Sequence, residues 1–137
     1  MRVGAVEAEA AHERPSAYDL FRRGSHFLAQ GHPAQAALLL EQAAKLAPGK
    51  NSIREGWARA CFALGKFDRA AELFAAILEN APANDYAHFG LGCCLIKLGQ
   101  LREARGHLRL ALAMRPQDEA YRERLFLCEE RLRRLCC

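Results

Sequence analysis

The sequence repeats itself with a period of 34 residues, the distance from Pro48 to Pro82. Three residue types return at this spacing, namely Pro48, Pro82 and Pro116, Gly31, Gly65 and Gly99, and Ala36, Ala70 and Ala104. A period of this length is typical of stacked supersecondary units, each of which buries its apolar face only against its neighbours. We therefore expect three equivalent units, residues 17–50, 51–84 and 85–118.

Each unit divides into two amphipathic runs, at about 17–30 and 33–46 in the first unit, separated by Gln30-Gly31-His32-Pro33. Gly31 is expected to end the first helix, because glycine adopts the left-handed backbone conformation without a Cβ clash. Pro33 fits the first turn of the next helix, where its missing N–H is not needed. The pattern predicts an αα-hairpin in each unit.

Side chains that suit helix starts stand where the units begin. Ser16 with Asp19 has the spacing of a capping box. Asn51, Asn84 and Asp85 are expected to cap the first helices of the second and third units. These signals agree with the boundaries that the period gives.

Small and large residues alternate at fixed places in each unit. The eighth position is small and the twenty-fourth is large and apolar, as in Gly24 with Leu40, Ala58 with Phe74, and Gly92 with Leu108. Together with Gly at position 15, Ala at 20 and Pro at 32, this pattern resembles the tetratricopeptide repeat over residues 17–118. The tryptophan common at position 4 of the family is replaced by Leu20, Arg54 and His88. The resemblance implies an all-α fold, an αα-hairpin superhelix of three repeats and a capping helix.

Residues 119–137 are expected to form that capping helix. Their apolar residues form one stripe, Tyr121, Leu125, Cys128, Leu132 and Leu135, which should bury against the third repeat. On the other face, Glu129 with Arg133 and Glu130 with Arg134 have the spacing of helical ion pairs. The tetratricopeptide domain would thus cover residues 16–137, and residues 1–15 would be a flexible leader.

The family resemblance implies that positions 2, 5, 9, 12 and 13 of each unit line the concave surface. Here those positions are rich in apolar and aromatic side chains, and large exposed apolar patches usually mark interaction sites. We expect the partner-binding residues to be Tyr18, Phe21, Ser25, Leu28, Glu55, Arg59, Phe62, Tyr86, Phe89, Cys93, Ile96 and Lys97. The predicted function is an adaptor or chaperone-like protein that holds an apolar peptide or helix of another protein. Alternatively, the rings pack against the leader or a neighbouring molecule.

Two more specific interpretations follow from the same resemblance. The family's known clamp for a chaperone's C-terminal carboxylate uses positions that are here Phe21, Ser25, Gly56, Tyr86 and Gly90, none of which can clamp a carboxylate. Three repeats with a closing helix also resemble the class II chaperones of type III secretion, which hold segments of translocator proteins. A self-associating scaffold, including a homodimer, is a structural alternative.

Other classes of function find little support in the sequence. A net charge of +4 does not indicate nucleic-acid binding, and no run of about 18 apolar residues predicts a membrane span. Glu7, Glu9 and Glu13 interrupt any signal-peptide core, so we expect a cytoplasmic protein with its six cysteines as free thiols. No convergent set of nucleophile, base or metal ligands is apparent, so we expect no enzyme activity, cofactor or metal. The adjacent pairs Cys93-Cys94 and Cys136-Cys137 lack the usual spacing of zinc ligands.

Overall fold

The computed structural model describes residues 14–136, and within them the secondary structure is entirely helical. Seven helices follow one another in this part of the chain: α1 (Ala17–Ala29), α2 (Pro33–Leu46), α3 (Asn51–Ala63), α4 (Phe67–Asn80), α5 (Asp85–Lys97), α6 (Leu101–Met114) and α7 (Glu119–Cys136). The all-α prediction is confirmed. The greater part of the predicted leader, residues 1–13, lies outside the described residues, as does Cys137.

The turn inside each hairpin has the geometry that its glycine predicts. Gly31 has φ of 82°, and Gly65 and Gly99 have φ of 78° and 81°. In the first turn, the N–H of His32 donates to the carbonyl of Phe27 at 2.8 Å, and that of Gly31 to Leu28 at 3.1 Å. These two bonds form a Schellman motif, which satisfies carbonyls left free at a helix end.

The predicted helix caps are found in two of the three places. Asp19 N–H donates to Ser16 Oγ at 3.1 Å, and Ser16 N–H donates to Asp19 Oδ2 at 3.3 Å, so the capping box is confirmed. Asn84 caps α5 by accepting from the N–H of Ala87 at 2.9 Å. Asn51 does not cap, because α3 begins one residue earlier than expected and Asn51 lies inside its first turn. Its side-chain oxygen instead accepts a hydrogen bond from Arg54 at 3.2 Å.

The helices form two layers. Each helix packs on the next one in sequence, and α1, α3, α5 and α7 also contact one another in that order. Close approach inside a hairpin depends on the small eighth position: a Cβ on Gly24 would lie 2.8 Å from Cγ of Leu40, and one on Gly92 would lie 2.7 Å from Cγ of Leu108. The first helices of the three hairpins and α7 therefore form one wall, and α2, α4 and α6 form the other.

Helix α7 covers the third hairpin, as predicted, through most of its apolar stripe. Tyr121 and Cys128 are buried, Leu125 and Leu132 are partly buried, and the Cys128 thiol lies 3.3 Å from the carbonyl of Leu101. The prediction is wrong for Leu135, which is 73% exposed. Because α6 begins at Leu101, the last turn of α7 extends past the helix that would have covered it.

The two ion pairs predicted along α7 are also replaced by others. Glu129 accepts from Arg109 of α6 at 2.8 Å, and Glu130 pairs with Arg133 one turn later. Glu129 lies close enough to α6 for the side chain of Arg109 to reach it. The ion pair therefore joins α6 to α7, whereas the predicted pair lay within α7 alone.

Candidate functional site

The residues predicted to bind a partner all lie on α1, α3 and α5, but they do not form one uniform surface. Three depressions run along the wall made by α1, α3, α5 and α7. We call them the N-terminal, central and C-terminal depressions; their volumes are about 120, 240 and 360 Å³. Arg59 borders the first two and Arg124 borders the last two, so each depression adjoins the next. We refer to them together as the groove.

The N-terminal depression lies between α1 and α3. Of the predicted residues, it is bordered by Phe21, Ser25, Leu28, Glu55 and Arg59. Burial raises the pKa of Glu55, and the charge of Arg59 only partly opposes that effect. Tyr18 lies apart from the depression and is 66% exposed.

The central depression is built from aromatic rings. Of the predicted residues, it is bordered by Arg59, Phe62, Tyr86, Phe89 and Cys93. An exposed aromatic patch predicts rings that do not pack against other rings of the chain. In the structure they do pack against such rings. Tyr86 lies with its ring centroid 6.1 Å from that of Phe74, and Phe89 stacks on Tyr121 at 4.6 Å. Phe62, Tyr86 and Phe89 are consequently half-buried, with only one side presented to the groove.

Two predicted residues contribute little exposed surface. Cys93 and Ile96 are 7% and 8% exposed, because α7 packs over the end of α5. Burial raises the pKa of the Cys93 thiol to about 11. Ile96 borders the C-terminal depression together with Lys97, which is exposed.

One ring in the central depression comes from the other layer of helices. Phe74 of α4 enters the wall beside Gly90, where an added Cβ would overlap the phenyl ring. The sequence signal for this contact was a glycine at position 6 of the third unit together with a phenylalanine at position 24 of the second. Phe74 is 2% exposed, so it belongs to the core and at the same time forms the floor of the central depression.

Helix α7 supplies groove residues that the sequence analysis missed. Arg124, Leu127, Arg131 and Arg134 lie beside its buried stripe and border the C-terminal depression, and Phe126 stands on its rim. Their spacing of three and four residues is visible in the sequence, but only Arg134 enters the sequence-based predictions, as the partner of Glu130. The others were missed because the groove continues past the third repeat onto the capping helix.

The junction of α5 with α7 is fixed by a polar cluster. The Tyr121 hydroxyl donates to Asp85 Oδ2 at 2.7 Å, and Arg115 Nε also donates to that oxygen at 2.7 Å. Burial opposes ionisation of Asp85, but these two partners outweigh it and hold its pKa below the usual range. Burial and the Asp85 carboxylate raise the pKa of Tyr121. The phenol therefore acts as a stable hydrogen-bond donor.

A histidine pair lies between α5 and α6. Nδ1 of His88 lies 3.0 Å from Nδ1 of His107, and Nε2 of His88 lies 2.8 Å from the carbonyl oxygen of Pro82. Since a carbonyl only accepts, His88 Nε2 carries a proton and, in the neutral ring, its Nδ1 accepts from His107. Within residues 14–136, no cluster of three or more His, Cys, Asp or Glu has the placement of a metal site.

Comparison with known proteins gives a consistent result. Two family models, both described as tetratricopeptide repeat, match residues 21–85 and 62–124. The TPR repeat-containing thioredoxin TTL4 of Arabidopsis thaliana is 28% identical over 128 residues, which cover 93% of this chain and 18% of that protein. The chain thus spans less than a fifth of the length of this relative.

Solved structures share the fold at low sequence identity. The first TPR of Spaghetti (RPAP3) bound to HSP90 peptide SRMEEVD has a TM-score of 0.81 and 20% identity, over 85% of this chain and 93% of that one. The Sgt2 TPR domain from Aspergillus fumigatus has a TM-score of 0.79 and 19% identity, over 85% and 79%. MamA from Desulfovibrio magneticus RS-1 has a TM-score of 0.83 and 20% identity, over 89% and 69%.

Proposed function

This chain belongs to the tetratricopeptide repeat family, and from that premise we propose that it is an adaptor or chaperone-like protein whose groove holds an apolar segment of another protein. Tetratricopeptide repeats are protein-interaction scaffolds and not enzymes. We also propose a cytoplasmic location. A separate observation is that, within residues 14–136, none of the helices combines the length and apolarity needed to cross a bilayer.

The observation that carries the proposal is the central depression. Phe62, Tyr86 and Phe89 present half-buried rings to it, and Phe74 forms its floor. A volume of about 240 Å³ is enough to receive one or two apolar side chains, and such anchors supply most of the binding energy in peptide recognition. An extended or helical segment following the groove would place further residues in the two flanking depressions.

The relative solved with an HSP90 peptide supports peptide recognition by this fold, but the chemistry here differs. The positions that would clamp a terminal carboxylate are occupied by Phe21, Ser25, Gly56, Tyr86 and Gly90. These residues border the N-terminal and central depressions and carry no positive charge. We therefore propose an internal apolar segment as the occupant; a translocator protein of type III secretion would be one such partner.

A selection experiment tests this function without a known partner. A phage-displayed library of peptides of about twelve residues is selected on the purified protein, and the winners are synthesised and measured by fluorescence anisotropy. We expect winners with two or more large apolar residues and a loss of affinity of roughly tenfold or more for Phe62→Ser. The matched control is Leu38→Ser, which removes an apolar side chain 63% exposed on α2, away from the groove.

The result that overturns the proposal is equally specific. The proposal is wrong if the selected peptides lack apolar residues. It is also wrong if the Phe62→Ser variant and the unchanged protein bind them with equal affinity. Circular dichroism of each variant shows whether a loss of binding reflects a loss of fold.

A self-associating scaffold is the second candidate, and one observation favours it. Phe126 and Leu127 are adjacent on α7, are 57% and 46% exposed, and both border the C-terminal depression, so they form an apolar surface that a second copy could cover. Light scattering over a dilution series distinguishes the two functions, because self-association depends on the protein's own concentration. A constant monomer mass would exclude a homodimer under those conditions.

A further inference from the structure

The groove carries positive charge that the described part of the chain does not neutralise. Five cationic side chains border its central and C-terminal depressions: Arg59, Lys97, Arg124, Arg131 and Arg134. None of the five lies within 4.0 Å of a carboxylate of residues 14–136. The basic character therefore belongs to the groove itself.

Some cations outside the groove are held in ion pairs with carboxylates. Arg109 is bonded to Glu129 and Arg115 to Asp85, each at 2.7 to 2.8 Å. Among the described residues, two acids border the groove: Glu55, whose charge interacts with that of Arg59, and Glu130, which is bonded to Arg133 outside the groove. Neither forms an ion pair with any of the five cations.

Apolar surface lies among the free cations. Leu127 is 46% exposed and stands between Arg124 and Arg131, which lie three residues before it and four after it on α7. Phe126 on the rim is 57% exposed. The central depression, with its rings, adjoins this surface through Arg124. A ligand that fits must therefore bring both apolar side chains and negative charge.

We propose that the occupant of the groove is an acidic segment of another protein, in which Asp or Glu side chains flank the apolar anchors. This inference rests on the proposed function and specifies its partner. The anchors fill the central depression and cover Leu127, and the flanking carboxylates lie against the five cations. Charge of this kind speeds association and discriminates among apolar partners.

RNA would also be attracted to these cations, but the aromatic geometry favours protein. Single-stranded nucleic acids bind on free ring faces, on which successive bases stack. Here Phe89 is already stacked on Tyr121, with 26° between the ring planes, and Phe74 and Tyr86 meet in a T-shaped contact. The rings offer a lined depression for side chains and no open platform for bases.

The test uses a peptide chosen by the library selection, with its C-terminus amidated so that no terminal carboxylate is present. It is synthesised in two forms that differ only at the positions flanking the anchors, which are all Glu or all Gln. We expect the Glu form to bind roughly tenfold more tightly at about 50 mM NaCl, and this advantage to shrink at about 300 mM NaCl through screening. The protein variant Arg124→Gln/Arg131→Gln/Arg134→Gln should lose the preference and keep its affinity for the Gln form.

A matched control separates local from overall charge. Lys50→Gln/Lys66→Gln/Arg102→Gln removes the same number of positive charges from exposed positions that do not border the groove. We expect this variant to retain the full preference for the Glu form. Equal loss in both variants would show that only net charge matters and would overturn the proposal.

The remaining outcomes are also decisive. If both peptide forms bind equally and Phe62→Ser weakens both, the groove binds apolar segments without charge selection, so this inference fails and the proposed function stands. If the library yields no binder, the proposed function is wrong, and so is the inference that rests on it. Oligouridine could compete for the groove as strongly as the Glu form and bind more weakly to the Arg124→Gln/Arg131→Gln/Arg134→Gln variant. In that case the surface is a general anion site and the proposal is wrong.

Discussion

Phe89 of α5 stacks on Tyr121 of α7, with ring centroids 4.6 Å apart and 26° between the ring planes. The contact joins the wall of the groove to the helix that closes the third hairpin. The hydroxyl of the same tyrosine donates to Asp85, at the start of α5. One side chain thus ties the capping helix to the base of α5 and completes the surface that a partner would meet.

Replacing Tyr121 by Phe removes this hydroxyl and leaves the stacked ring. Because the lost hydrogen bond is to a charged, partly buried carboxylate, we expect the free energy of unfolding to fall by about 1–2 kcal/mol. Tyr18→Phe is the control, since Tyr18 is 66% exposed and its change should stay within about 0.5 kcal/mol. Urea denaturation followed by circular dichroism measures both. Equal effects would show that the bond to Asp85 contributes nothing.

Two helical glycines should respond in opposite directions to alanine. At Gly90 a Cβ would overlap the ring of Phe74, so we expect Gly90→Ala to cost about 1–3 kcal/mol of stability. At Gly106 a Cβ meets nothing within 4 Å on the exposed face of α6, so Gly106→Ala should stabilise by about 0.5–1 kcal/mol. Thermal unfolding of the two variants compares them directly, and a stabilised Gly90→Ala would show that Phe74 can leave the groove at no cost.

The histidine pair should make stability depend on pH. Burial and the neighbouring His88 lower the pKa of His107. Below about pH 6.5 the unfolded chain binds a proton that the folded protein binds less readily, so stability falls as the pH is lowered from about 7 to about 5. Above that range both states are neutral at this site, and no contribution remains.

Urea denaturation at a series of pH values measures this dependence. His107→Gln keeps a donor for His88 Nδ1 and does not titrate, so part of the pH dependence should disappear in this variant. His26→Gln, at an exposed position of α1, is the matched control and should keep it. Identical pH profiles for all three proteins would contradict the assignment.

The buried and exposed cysteine thiols should differ strongly in their rate of reaction with a thiol reagent. Cys61, Cys93, Cys94 and Cys128 are buried and Cys136 is exposed. Burial raises the pKa of Cys94 to about 12, so few thiolates form at neutral pH and modification should require opening of the fold. In a Cys137→Ser background, an aromatic disulfide reagent should modify one thiol rapidly, and Cys136→Ser should abolish that fast phase. A second fast thiol in that background would show that one of the buried cysteines is accessible.

The repeated architecture could be read from the sequence because its determinants are local. Gly31, Gly65 and Gly99 fix the backbone within a single turn, and the capping box of Ser16 and Asp19 spans one turn of helix. Such signals operate over a few residues and need no knowledge of neighbouring helices. The 34-residue period then repeats the same local solution three times.

The details of the groove could not be predicted in this way, because they depend on contacts between distant residues. Glu129 bonds to Arg109, twenty residues away, and not to the residue one turn along its own helix. Arg124 and Arg131 point into the groove only because of how α7 is rotated on the third hairpin. Helical spacing shows which residues share a face, but the angle at which helices pack decides where that face points.

Within residues 14–136, the buried core is unevenly divided. One cluster of fifteen of these residues extends from α3 to α7, whereas the two clusters that join α1 and α2 to α3 hold three each. In repeat architectures each unit is held chiefly by its neighbours, so the first hairpin should undock at lower cost than the rest. The N-terminal depression, shared by α1 and α3, exists only while that hairpin is docked. Occupancy of this end of the groove would therefore be coupled to local folding, because a ligand bound there would stabilise the docked state of the first hairpin.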